Sequence, residues 1–252
     1  MVTAGSVQAE GRRARILAML AEEGAIQLDA TAAALGVSPM TVRRDLDELE
    51  AAGLLRRVRG GAVLVTGPQP FSARRATHAR AKDVIASKAL AYVPADGSIA
   101  IDASTTTGTL AAQLRDHAGL TVVTNSYENF SAMRTTRGVR SILVGGEEEQ
   151  TTGSLVGPLA YQSALSMYYR AFFTSAAAVD TEGTSEVSLS ESHAKQAFAD
   201  RAERVVLCVD SSKLGKRSLA TAFGFERIAV VITELDPDDP RLAEYRELAE
   251  FV

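Results

Sequence analysis

Tryptophan is absent from this 252-residue chain, cysteine occurs once and histidine three times. A single cysteine excludes an intramolecular disulfide framework; Cys208, inside the apolar run Val205 to Val209, reads as a buried thiol, and the cytosol is the expected compartment. His78, His117 and His193 lie far apart, with no cysteine or carboxylate at metal-ligand spacing, so neither a metal nor a cofactor is implied. No apolar run approaches the roughly 18 residues of a membrane span, and Ile16 to Ala21 is soon followed by Glu22 and Glu23, so neither a span nor a signal peptide is expected. A large excess of either charge is also missing. The 27 Lys+Arg against 31 Asp+Glu leave −4, which excludes wholesale adhesion to nucleic acid or an anionic membrane and makes any such contact local.

Lysine is missing from the first 66 residues, whose 8 Arg and 8 Asp+Glu cancel; the rest of the chain carries 19 basic and 23 acidic groups, the entire −4. Gly67-Pro68-Gln69-Pro70 interrupts an apolar stretch and marks the boundary. Residues 1–66 form one small domain, 67–92 a linker with a connecting helix from about Ser72 to Tyr92, and 93–252 a larger domain. There, β-branched runs at Ser98 to Ile101, Leu120 to Val123, Ser141 to Val144, Val205 to Val209 and Ile228 to Ile232 alternate with helical spacing at Thr109 to Arg115 and Glu191 to Ala202. Ala171 to Val179 reads as a further strand and Arg241 to Glu250 as a terminal helix. This alternation predicts an α/β fold with a largely parallel, helix-covered sheet.

In the small domain, Ile16, Leu17 and Leu20 share one side of a first helix, and Ala30 to Leu35 makes a second before Gly36-Val37. Ser38-Pro39 starts a third: the serine hydroxyl caps free N–H groups, and proline at the first helical position loses no hydrogen bond. Running to about Ala52, this helix buries Val42, Leu46 and Leu49. Met40, Arg44, Asp47 and Ala51 point outward, with Thr41 and Arg43 on the flanks. Arginines beside the positive end of a helix dipole become favourable once phosphates or guanine edges face them, as for a recognition helix entering a major groove. Asp45, Asp47, Glu48 and Glu50 follow. Leu54 to Val65 reads as two strands around Gly60-Gly61, a wing whose Arg56, Arg57 and Arg59 offer +3 to a phosphate backbone, joined by Arg12, Arg13 and Arg15. The DNA-contact candidates are Ser38, Met40, Thr41, Arg43, Arg44, Arg56, Arg57 and Arg59. The same pattern also suits a three-helix docking or dimerisation domain with solvated arginines.

Leu35-Gly36-Val37-Ser38-Pro39-Met40-Thr41-Val42-Arg43-Arg44-Asp45-Leu46, then Leu49-Glu50, Gly53 and Gly60-Gly61-Ala62, resemble the N-terminal signature of the DeoR family of bacterial transcription regulators. Arg59 stands where that family commonly has histidine. The resemblance implies a winged helix-turn-helix domain that binds double-stranded operator DNA.

In the larger domain, Ile99 to Gly108 passes from a strand into a hydroxyl-rich loop that opens a helix. Its N–H groups with Ser104, Thr105, Thr106 and Thr107 suit a phosphate dianion, although ordinary helix capping uses the same residues. Thr124-Asn125-Ser126, Gly145-Gly146 and Asp210-Ser211-Ser212-Lys213 end other strands, and ligands of open α/β sheets gather beyond carboxyl ends. These segments, with Asp102-Ala103, Gly153 to Pro158, Val179-Asp180, Gly183-Thr184, Glu191 and Lys195, are similar to the family's effector domain, which implies a sugar-phosphate-isomerase-like fold. By that resemblance a phosphorylated sugar or polyol is the effector, its phosphate held by Ser104 to Thr107 and Lys213. Asp102, Asn125, Asp180, Glu191 and Lys195 serve hydroxyl contacts or internal pairing, and Gly145 and Gly146 belong to the same site. Glu191 and Lys195 have the i,i+4 spacing of an ordinary surface ion pair as well. Arg170 replaces an acidic residue usual in the family, and Thr174-Ser175 stand where glycine is common.

The expected function is a transcriptional regulator, a repressor of sugar or polyol catabolism genes, acting as a homodimer or homotetramer because paired recognition helices must reach paired half-sites. The alternatives are a sugar-phosphate isomerase with an accessory domain, using Glu191 or Asp180 as base beside Lys195 or Lys213, and a protein-docking adaptor that binds no DNA.

Overall fold

The computed structural model describes residues 4–51, 54–64, 71–115, 117, 119–150 and 152–252. Two compact units emerge, Met1–His78 and Ala79–Val252. The boundary expected at Gly67 to Pro70 lies outside the described residues. The connecting helix expected over 72–92 is divided: one helix ends at Ala76, another starts at Ala79, and His78 between them has φ of 53°.

The first unit runs α1 (Ala4–Glu23), β1 (Ala25–Gln27), α2 (Leu28–Leu35), α3 (Pro39–Ala51), β2 (Leu55–Val58), β3 (Gly61–Leu64) and α4 (Phe71–Ala76). Ile16 and Leu20 of α1, Ala32 of α2 and Val42, Leu46 and Leu49 of α3 bury their side chains against Leu55 and Ala62 of the wing. Each buried isoleucine, leucine or valine contributes about 1.5–3 kcal/mol on leaving water, so the unit has a core of its own. The two expected wing strands pair antiparallel around Gly60, and β1, too short to be visible in the pattern, adds a third strand. Both glycines are required. Gly60 turns with φ of 84°, and a Cβ on Gly61 would lie 2.0 Å from the carbonyl oxygen of Ile26 on β1.

The second unit runs α5 (Ala79–Ala89), a 3-10 turn Leu90–Tyr92, β4 (Gly97–Ile101), α6 (Thr105–Gln113), β5 (Leu120–Thr124), α7 (Tyr127–Met133), β6 (Val139–Leu143), β7 (Glu147–Glu148), β8 (Leu155–Val156), α8 (Pro158–Leu165), β9 (Ala171–Thr174), β10 (Ala178–Asp180), β11 (Gly183–Glu186), α9 (Leu189–Ala199), β12 (Val205–Cys208), β13 (Ala220–Thr221) and β14 (Ile228–Ile232). Six strands form a parallel sheet in the order β14-β12-β9-β4-β5-β6. Side chains alternate between its faces. Ile99, Ile101, Val122, Phe173, Val206 and Cys208 pack with α5, α6 and α7, while Ala100, Val123, Phe172, Val205 and Leu207 pack with α8 and α9. Cys208 is buried, and burial raises its thiol pKa, so it is inert as expected.

Two expected elements differ. The run Ala171 to Val179 is not one strand: β9 ends at Thr174, and β10 belongs to a separate antiparallel sheet with β11 and β13. The terminal helix expected from Arg241 is replaced by a 3-10 turn, Pro240–Leu242, and a succession of turns. Tyr245 is buried there with its hydroxyl accepting from the Gly215 N–H, and Phe251 bridges in parallel to Val231, with hydrogen bonds reaching Glu250 and Val252. The chain therefore closes one sheet edge instead of completing a helix. Among the described residues no helix is long and apolar enough to cross a membrane.

Candidate nucleic-acid interface and ligand site

On α3, the Ser38 hydroxyl accepts from the Thr41 N–H at 3.2 Å and meets the Thr41 hydroxyl at 2.9 Å, the cap the sequence predicts. Met40, Arg43 and Arg44 are exposed, and Thr41 is half-buried. The acidic second half of the helix is tied down from elsewhere. Arg12 of α1 donates twice to Asp45, the longer bond 3.0 Å, and Arg13 donates to Glu48. Arg57 of the wing donates to Asp47, and its N–H donates to Glu50 at 2.6 Å. Arg12, Arg13 and Arg57 thus fix the helix rather than wait for phosphate, a departure from the role the sequence suggests for them. Arg15, Arg43, Arg44, Arg56 and Arg59 are exposed without an ion pair among the described residues. Pairing has consumed the acids of the helix and left its basic end bare.

In the larger unit, β4 leads through β5 to β6 on one side, and the chain returns to place β9, β12 and β14 on the other. The order reverses between β4 and β9, and their carboxyl ends open the crevice where α/β sheets take ligands. Asp102 spans that crevice, 1% exposed. One carboxylate oxygen accepts from the Ser104 N–H at 3.0 Å and the Thr107 hydroxyl at 2.7 Å; the other accepts from the Thr174 hydroxyl and the Ser175 N–H, both at 2.8 Å. The bonds from Thr174 and Ser175 tie the loop after β4 to the loop after β9, while those from Ser104 and Thr107 fix the loop after β4 on itself. Asp102 is therefore a brace, and Thr107, fully buried, belongs to it.

Lys195 of α9 completes the brace. Its ammonium donates to Glu186 at 2.6 Å and to the Ser175 carbonyl at 2.8 Å, and lies 3.0 Å from Asp102. Glu191, one turn earlier on α9, accepts instead from the Thr152 and Ser154 hydroxyls at 2.6 Å each. The surface i,i+4 pair does not form: both residues are 5% exposed and have other partners. Glu186, which sequence reasoning missed, is 4% exposed. It ends the short strand β11, whose Gly-Thr-Ser-Glu carries no hydrophobic signal, and only the fold brings it to Lys195.

One cation thus faces three buried carboxylates. Burial works against the charge on Asp102, but Lys195, the Ser175 N–H and the donors at Ser104 and Thr107 outweigh it and lower its pKa. Burial works against the Lys195 ammonium too, yet Glu186, Asp102 and Glu191 together raise its pKa. For Glu186 burial prevails over the attraction of Lys195, and its pKa is pushed up to about 7. A carboxyl that holds its proton more tightly when folded stabilises the fold fully below its unfolded pKa, and this stability is lost as pH rises through the folded value. Wild-type stability should therefore fall by up to about 3 kcal/mol on this account as pH rises from about 4.5 to about 7. Chemical denaturation across that window should show a flatter profile for Glu186→Gln, with the variant at least as stable as wild type at about pH 8; parallel profiles would remove Glu186 from the balance.

The remaining candidates surround this centre. Asn125 donates to the Leu155 carbonyl at 3.1 Å, while its side-chain oxygen, buried at the end of β5, has no partner among the described residues. Ser104 caps α6 by accepting from the Thr107 N–H at 3.1 Å, and Thr105 and Thr106 are buried in the first turn. Lys213, half-buried in the 3-10 turn Ser211–Lys213 after β12, makes no ion pair among the described residues. β4 and β12 both flank β9, so the loops that carry Ser104 and Lys213 follow the carboxyl ends of strands on either side of it. Gly145 is exposed, whereas a Cβ on Gly146 would fall 2.5 Å from the Val156 carbonyl oxygen, so Gly146 lets the chain pass β8. Asp180 is drawn away by Arg217 and caps the Glu182 N–H at 2.9 Å. Among the described residues no group of histidine, cysteine, aspartate or glutamate is arranged to hold a metal ion.

Comparison with known proteins accounts for both units. Residues 12–67 match the family model described as DeoR-like helix-turn-helix domain, and residues 77–235 match DeoR C terminal sensor domain. The chain is 29% identical over 226 residues to the glycerol-3-phosphate regulon repressor of Escherichia coli (strain K12), covering 88% of this chain and 89% of that one. It is 30% identical over 242 residues to the lactose phosphotransferase system repressor of Lactococcus lactis subsp. lactis, covering 94% and 95%. Among solved structures, ribose 5 phosphate isomerase A from Neisseria gonorrhoeae aligns over 54% of this chain and 53% of its own, with 18% identity and a TM-score of 0.36.

Proposed function

Because this chain belongs to the DeoR family of transcriptional repressors, we propose that it grips its operator through the N-terminal half of α3 and the wing residues Arg56 and Arg59, and that a phosphorylated sugar or polyol in the β4/β9 crevice changes that grip. It is a DNA-binding regulator of transcription, not an enzyme. The observation that carries the DNA reading is the pairing of Asp45, Asp47, Glu48 and Glu50 with groups from α1 and the wing. A unit that is neutral by count then has a positive face beside the helix start. Two such faces are needed to span paired half-sites, so the working species is a homodimer or homotetramer in the cytoplasm.

The effector reading rests on the crevice. Its polar centre is braced internally, and the Asn125 side-chain oxygen stands as an acceptor without a donor among the described residues, a place for a ligand hydroxyl. The start of α6 supplies N–H groups, and Lys213 an ammonium, for phosphate. Such a ligand releases the operator only by favouring a conformation that binds DNA less well. The isomerase alternative is not favoured: Asp180 is committed to Arg217, and Glu191 to two hydroxyls. A thermal-shift panel of sugar and polyol phosphates tests the site. The effector at about a hundredfold over its Kd should stabilise the sensor unit by about 2.7 kcal/mol, and Lys213→Ala should lose most of that gain. Equal stabilisation by the dephosphorylated compound would remove phosphate from the reading.

A further inference from the structure

The larger unit carries the net negative charge of the protein, yet one corner of it is basic and unneutralised. Arg115 follows α6, Arg134 is the C-terminal cap of α7, Arg137 lies in the turn that follows, and Arg140 is the second residue of β6; all four are exposed. The two turns abut. The Gly119 N–H donates to the Gly138 carbonyl at 3.2 Å, and Arg140 lies opposite Thr121 across β5 and β6. Their position is the amino-terminal edge of the sheet, opposite the edge that carries Asp102, Asn125 and Ser175.

Elsewhere in this unit several arginines find partners, Arg170 with Asp96, Arg217 with Asp180, Arg227 with Asp200 and Arg241 with Asp239, while Arg80 at the start of α5 stands by itself among the described residues. At the corner no guanidinium has an ion pair, hydrogen bond or ring contact among the described residues. Asp116, next to Arg115 in the sequence, lies outside the described residues. Two ordinary roles explain part of the pattern. A cation after a helix C-terminus offsets its dipole, which suits Arg115 and Arg134, and a charge on the edge strand β6 discourages pairing with another chain, which suits Arg140. Neither role calls for Arg137, nor for all four gathered at two adjoining turns and the start of β6.

We propose that this corner is a second DNA contact of the protein, gripping the phosphate backbone of a duplex without reading its sequence. Planar guanidinium groups meet phosphate through paired hydrogen bonds and keep their charge under all physiological conditions. Held against a polyanion, unpaired arginines gain what neighbouring carboxylates would otherwise supply. The inference rests on the DNA-binding reading and adds phosphate contacts from outside the helix-turn-helix unit.

The test uses the full-length chain and a random-sequence duplex of about 40 base pairs, with affinity followed by fluorescence anisotropy from roughly 50 to 300 mM KCl. Replacing Arg134, Arg137 and Arg140 together by alanine should flatten the slope of log K against log salt by about 2 to 3, at about 0.9 per phosphate contact, and weaken binding about tenfold or more at the lowest salt. Lysine at the same three positions should restore most of the slope, and circular dichroism should match wild type. An unchanged slope in the alanine variant overturns the proposal. So does an unchanged slope with altered light-scattering mass, which assigns the corner to a second copy of the chain. If the wild-type protein fails to bind the duplex at all, the DNA-binding reading itself falls, a result distinct from a wild-type slope that the variant merely reproduces.

Discussion

Replacing Arg43 and Arg44 together by alanine is expected to lower operator affinity by about a hundredfold to ten thousandfold, each lost base contact costing about 1–3 kcal/mol. The two guanidiniums are exposed on the first half of α3 and contribute nothing to its packing, which is done by Val42, Leu46 and Leu49. Thermal unfolding of the double variant should therefore match wild type, and the loss should appear in anisotropy titrations with an operator-bearing duplex. Arg12→Ala should behave in the opposite way. Its bidentate partner Asp45 is 3% exposed, so the variant leaves a buried carboxylate without its cation and destabilises the first unit before it touches affinity. Unchanged operator affinity in both Arg43→Ala and Arg44→Ala would sink the assignment of α3 as the reading helix.

The second large effect lies at Lys195. Substitution by methionine, which keeps most of the length of the side chain, removes the cation that faces Asp102 and Glu186 and leaves buried carboxylates uncompensated. Breaking a buried pair in this way costs about 3–5 kcal/mol. For a unit of this size that is a fall of about 10 °C in unfolding midpoint, near 2–4 °C per kcal/mol, read by calorimetry on the full-length chain. Some of the loss should be recovered at low pH, where Glu186 and then Asp102 accept protons and the surplus negative charge disappears. A midpoint within a degree or two of wild type would mean that Lys195 is not the keystone of the cluster.

Local chemistry written in a few consecutive residues was legible in advance. Ser38-Pro39 announces the start of α3, the four-and-three spacing of Val42, Leu46 and Leu49 announces its buried face, and Gly60-Gly61 announces the wing turn. The five apolar runs assigned to the parallel sheet all fall on its strands, four of them largely buried and the fifth in the half-buried edge strand β6. What escaped prediction depends on residues far apart. The run Ala171 to Val179 breaks because Thr174 and Ser175 turn toward Asp102, seventy residues earlier. Residues 241–250 have helical composition, but tertiary anchors at Tyr245 and β14 outweigh that propensity. Glu186 left no trace in the pattern, and the spacing of Glu191 and Lys195 suggested a surface pair that the fold replaces with separate buried partners. At the candidate site the residue types were readable; which of them take partners from a distant loop, as Asp102 does, and which keep an unpaired atom among the described residues, as Asn125 does, is decided by topology.

On α3, the residues that hold the helix in place and the residues that face outward from its start are different residues. Asp45, Asp47, Glu48 and Glu50 anchor it, while Met40, Arg43 and Arg44 touch little of the protein itself. Target preference can therefore drift without a stability cost: substitutions at 40, 43 and 44 are free to explore new half-sites while the anchoring acids stay constant. Paralogues that diverged from such a scaffold would acquire separate regulons through a handful of changes, and a designer could redirect the helix to a chosen sequence by varying those outward positions alone.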